Sequence, residues 1–116
     1  MHHSASLARV SREPGLAETV VSGRFEELTK RLAALMRYAV KLSLEPWHVT
    51  ELDIQRLREV GLSDRDIVDA NQVISYFAYA NRVTDGLGVE LEETWPPDVR
   101  HRRGYGLRDR LRAREE

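Results

Sequence analysis

An all-α fold is what this sequence predicts, and three observations predict it. Apolar residues recur at helical intervals in the runs 29–45 and 63–88, residues that favour helix starts stand just before those runs, and no segment alternates apolar and polar residues as a half-buried strand does. A short helix is expected over roughly His2 to Val10, ending before Pro14-Gly15. A weak one comes next, from Leu16 to Ser22, stopped by Gly23, which can take the left-handed cap conformation. Thr29 caps the third, where Leu32, Leu35, Ala39 and Leu42 form a stripe, with Met36 and Val40 beside it, until Pro46 ends the helix. Thr50-Glu-Leu-Asp53 reads as a variant capping box opening a fourth, with Ile54 and Leu57 facing inward and Gly61 closing it.

Ser63 caps the last and longest helix, with Asp64 and Asp66 in the first turn, where the helix dipole favours negative charge. Two apolar series run along it: Ile67, Ala70, Ile74 and Phe77, and Val73, Tyr76, Ala80, Val83 and Leu87. Together they wrap more than half of its surface, and a helix so apolar needs cover on most sides. That cover is expected from a partner subunit, so a homo-oligomer is expected. Gly86 and Gly88 end the helix, and beyond Trp95-Pro96-Pro97 the pattern breaks into a tail. The expected organisation is a helical domain over 1–95 and a basic, partly ordered tail over 96–116.

Composition narrows the function classes. With no cysteine, the chain has neither a disulfide framework nor a thiolate zinc site. No apolar run reaches the ~20 residues that span a bilayer, and no signal pattern opens the chain, so a soluble cytoplasmic protein without membrane partners is expected. Residues 98–116 carry seven arginines against four acids, which leaves −4 for the rest of a chain whose net charge is −1. Acids interleave with those arginines, which marks a solvated tail. Arg100-His-Arg-Arg103 with Tyr105 offers phosphate contacts, but no helix-turn-helix, zinc or single-strand-binding pattern accompanies them, so nucleic-acid binding is not expected.

Val73-Ile-Ser-Tyr-Phe-Ala-Tyr-Ala-Asn-Arg-Val-Thr-Asp-Gly-Leu-Gly-Val-Glu-Leu-Glu92 closely resembles the closing helix of the alkylhydroperoxidase-like (carboxymuconolactone decarboxylase) family, in its peroxidase-related branch. Leu35-Met-Arg-Tyr-Ala-Val-Lys-Leu42 is similar to the helix that enters the family's second half. Pro46 to Gly61, with Val49, Thr50, Asp53, Leu57 and Arg58, is similar to the family's next short helix and glycine turn, and Gly61-Leu-Ser-Asp64 continues the likeness. The resemblance covers about two thirds of the chain and implies an alkylhydroperoxidase-like helical bundle, N-terminally truncated and completed by oligomerisation. Family members reduce peroxides through a Cys-x-x-Cys dithiol, an antioxidant oxidoreductase activity that needs no cofactor and draws on a reductant partner. A thiolate attacks the peroxide bond and a neighbouring thiol resolves the sulfenic acid. This chain supplies neither thiol.

In the family a His-His pair comes directly after the cysteines, and His2-His3 with Leu7 is similar to it. His3 would take the place of the motif histidine, beside His2, and the second cysteine would fall just before Met1. The other reading of His2-His3 is a tag remnant or an arbitrary terminus. Asn81 and Arg82 interrupt the last helix and are expected to be buried, either pinning a helix–helix or subunit contact or lining the family's active-site cavity. His48, after Trp47, is expected to pack or cap, and His101 to be solvated. Asp64, Asp66 and Asp69 cluster, but the helix start explains Asp64 and Asp66, and no two His, Asp or Glu stand at a metal spacing with a third ligand in view, so no metal is expected. A cysteine-independent decarboxylase of the same family and a non-catalytic helical oligomerisation module are the alternatives.

Overall fold

The computed structural model describes residue 13, residues 15–89 and residues 92–94. The expected helix over His2 to Val10, the boundary at 95/96 and the basic tail lie outside the described residues. The chain divides into two compact units, Met1–Arg24 with Glu90–Glu116, and Phe25–Val89. In the first, α1 (Leu16–Ser22) ends at Gly23, whose φ of 72° lets the backbone turn back. The Gly23 and Arg24 amides then reach the Val20 and Thr19 carbonyls at 3.2 and 3.1 Å. That is the double bond of a Schellman cap.

The second unit holds the core. A 3-10 turn, Phe25–Glu27, leads into α2 (Lys30–Leu44), whose first turn is capped by Thr29 Oγ1 accepting from the Leu32 amide at 3.3 Å. Pro46 cannot continue α2 and instead starts a second 3-10 turn, Pro46–His48. The helix α3 (Glu51–Glu59) is next, its start fixed by Asp53 Oδ2 accepting from the Thr50 amide at 2.8 Å. The last helix, α4 (Asp64–Leu87), opens on a complete capping box: Ser63 Oγ accepts from the Asp66 amide at 3.1 Å, and Asp66 Oδ2 accepts from the Ser63 amide at 2.8 Å. The described residues are all-helical, and none of their helices is long and apolar enough to cross a membrane.

Between α3 and α4 the chain reverses at Gly61, with φ 91°. The Gly61 and Leu62 amides bond to the Arg58 and Leu57 carbonyls at 2.9 and 3.2 Å, and Leu62 joins Leu57 in the core. The apolar contact that accompanies a Schellman turn is therefore built into the centre of this unit. Tyr38, Leu57, Leu62 and Ile67 form that centre, with Ala34, Leu35, Leu42, Val49, Ile54, Val60 and Ile74 packed around them.

Two expectations are corrected here, the burial on α2 and the place of Gly86. On α2 the buried positions are Ala33 and Tyr38, while Leu32, Leu35, Ala39 and Leu42 are half-buried. Tyr38 can sit inside because its hydroxyl accepts from Asn71 Nδ2 at 3.0 Å. On α4 the two apolar series part company: Ile67 and Ile74 face the core, while Val73, Tyr76, Val83 and Leu87 are exposed and Phe77 is 38% exposed. Gly86 lies within the helix rather than at its end, and Gly88, with φ 67°, is the cap.

Leu57 is 1% exposed, so Leu57→Ala removes a side chain with no room to be replaced by solvent. It is expected to cost about 2–5 kcal/mol in urea denaturation. A Cβ on Gly61 would meet nothing within 4 Å, so Gly61→Ala adds backbone strain alone, an expected ~1–2 kcal/mol. A loss below half of either figure would show that the turn does not organise the core.

Candidate functional site

The most concentrated polar chemistry among the described residues lies between α2 and α3. Lys41 is on the last turn of α2 and Asp53 on the first turn of α3, twelve residues apart in sequence. Pro46 and the turn it starts bring the two together: Lys41 Nζ donates to Asp53 Oδ2 at 2.8 Å. The same oxygen accepts from the Thr50 amide, and Arg56 Nη1 stands 3.8 Å from Asp53 Oδ1. The Asp53 side chain is 9% exposed and that of Lys41 34%. The Lys41 hydrogen bond first, and the Thr50 amide second, hold the Asp53 carboxyl below its usual range against the opposing effect of burial.

This pair sits at the edge of an open cavity of about 480 Å³. Phe25, Leu28, Ala33, Tyr38, Leu57 and Val60 supply its apolar lining. Lys30, Arg37 and Arg56 stand on its rim with Glu26 and Glu59, so the rim has no dominant sign. Asp53 Oδ2 is already engaged by a cation and an amide, which makes it a structural anchor rather than a free base. From sequence, Asp53 reads as a cap only. The Lys41 partner arises from the fold of the intervening turn, not from any local pattern.

The expected site residues are placed differently. His2 and His3, and likewise His101, Arg100 to Arg103 and Tyr105, lie outside the described residues. Asn81 and Arg82 are exposed in this chain, not buried. Both come after the last core-facing turn of α4, and Arg82 Nη2 points at the Ser43 carbonyl, 3.5 Å away, near the C-terminal end of α2. A guanidinium there meets the negative end of the α2 dipole and one of its unbonded carbonyls. Arg82 thus ties two helices together at the surface.

His48 is an exposed member of the second 3-10 turn, with Nδ1 3.5 Å from Glu45 Oε2 and its ring edge-on to the exposed Trp47. Asp66 is consumed by the Ser63 box, whose amide and hydroxyl keep its carboxyl below the usual range. Asp64 accepts from Arg58 Nε at 2.9 Å. Among the described residues no group of three His, Cys, Asp or Glu could hold a metal ion.

No family model matches this chain, and no curated protein matches it either.

Because the Asp53 carboxyl is depressed in the folded chain, its contribution is full above the unfolded value near 3.9 and is lost as pH falls through the lower folded value. Asp53→Asn is expected to cost about 1–3 kcal/mol at pH 7. That gap should close as the pH is taken from 5 to 2 in urea titrations. A gap that stays constant over this range would rule out the ion pair as its source.

Proposed function

We propose that this chain belongs to the peroxidase-related branch of the alkylhydroperoxidase-like family and corresponds to the half of its domain that does not carry the dithiol. The observation behind this reading is the order and spacing of four segments: residues 35–42, 46–61, 61–64 and 73–92. Three of them coincide with local structure that their residues dictate. Residues 35–42 lie within α2, 46–61 hold the turn, α3 and its glycine, and 73–92 close α4 at Gly88. The family activity is two-electron peroxide reduction by a thiolate, with the second thiol closing a disulfide. None of the 116 residues is a cysteine, and no histidine or methionine replaces a thiolate in that step. The chain by itself is therefore read as scaffold, not as catalyst.

A second reading is a non-catalytic helical module that assembles with itself. It is favoured by the row of large apolar residues left exposed on α4.

The first reading is tested by coupling peroxide consumption to a dithiol reductant. The 116-residue chain is expected to show no turnover above the uncatalysed background with hydrogen peroxide or an alkyl hydroperoxide. Fusing a Cys-x-x-Cys-bearing family segment ahead of Met1 is expected to restore it. Turnover by the chain alone would overturn the assignment of the chemistry to missing thiols. Failure of a folded fusion to turn over would count against the family.

A further inference from the structure

We infer that the outer face of α4 is a docking surface for a second copy of this chain, helix against helix. The inference rests on the self-assembly reading and gives that assembly its surface. It does not depend on the family.

Two faces of α4 lie on nearly opposite sides of the helix. At ~100° per residue, Ile67, Asn71, Ile74 and Ala78 share one side, and Val73, Tyr76, Ala80, Val83 and Leu87 share a stripe about 190° away. The first set contains Ile67 and Ile74, which meet the core, and Asn71, which holds the Tyr38 hydroxyl. The second is spaced three, four, three and four residues apart, the repeat by which one helix seats its side chains between those of another.

The outer stripe is bare. Val73, Tyr76, Val83 and Leu87 are 57%, 63%, 42% and 77% exposed, and Tyr79 beside them is 67% exposed. With an exposed aromatic side chain offering on the order of 150–250 Å² when fully covered, these five residues present roughly 600 Å² per chain. Two copies would then bury about 1,200 Å², the lower end of the range for specific interfaces.

Charge selects the occupant. Between residues 70 and 89 the charged side chains are Arg82 and Asp85. Both fall on the core side of α4, where Arg82 reaches Ser43. The positions flanking the stripe are Gln72, Phe77, Tyr79, Thr84 and Gly86. A helix built to lie on a lipid surface carries lysine or arginine along its flanks, and none stands beside the stripe between Val73 and Leu87. Asp69 lies on the line of the stripe one turn before Val73, so two copies avoid like charges when their stripes run antiparallel about Ala80. A second copy also presents the matching three-four repeat by construction.

The test is sedimentation velocity on the full chain from about 1 to 200 µM, with far-UV circular dichroism on every variant. The wild type is expected to self-associate, and Tyr76→Glu and Val83→Glu each to weaken association at least tenfold while keeping the helical signal. Val68→Glu, at a residue 54% exposed but off the stripe, is expected to leave association unchanged. The milder Val83→Ser, expected to weaken association in the same direction, decides the matter where a glutamate variant loses its helical signal. A wild-type monomer at 200 µM would overturn both the assembly reading and the docking surface. Association insensitive to all three stripe variants would overturn the docking surface alone.

Discussion

Closure of Leu62 over Leu57, through the left-handed turn at Gly61, is the contact on which the rest of the second unit depends. It reverses the chain between α3 and α4 within a few residues and places both leucines in the same apolar centre. Ile67 joins them from the first turn of α4 and Tyr38 arrives from α2, so three helices are joined at one spot. In so small a core no other cluster can take over if this one is opened. Only a residue free to adopt positive φ permits the reversal without strain. Ser63, two residues on, then caps the start of the next helix.

Helix length explains the uneven burial of α4. Its 24 residues rise about 36 Å, whereas the 15 of α2 rise about 22 Å. The C-terminal half of α4 therefore extends beyond what α2 and α3 can cover. Where the core side loses its packing partners, it changes from Ile67 and Ile74 to Asn81, Arg82 and Asp85. The opposite side stays apolar to Leu87. Polar residues on the face nearest the bundle and apolar residues on the face turned from it reverse the usual amphipathic arrangement.

What could be read from sequence was what adjacent residues decide. Thr29, Thr50 and Ser63 start helices where expected, and Gly23, Gly61 and Gly88 cap them, because each works through its own side chain or φ within four residues. Burial on α2 was not legible. Tyr38 outranks the leucine stripe only because Asn71, 33 positions later, satisfies its hydroxyl. The reading of Asn81 and Arg82 as buried assumed that an apolar helix is surrounded along its whole length, and α4 is not. The Lys41–Asp53 pair required knowing how the turn at Pro46 folds, and Asp53 looked fully explained by its capping role. Of the candidate site, the absence of thiols was plain from composition, whereas His2 and His3 remain a matter of sequence resemblance.

Asp53 combines two duties that most helices keep apart. One carboxylate oxygen accepts the amide that starts α3 and the ammonium that holds α3 to α2. Fraying of the first turn of α3 and loss of the ion pair that links it to α2 are thus coupled. Amides at the start of a helix ordinarily open alone, at little cost. Here hydrogen exchange at Thr50 is coupled to the integrity of the α2–α3 contact, which makes a helix terminus part of the cooperative unit.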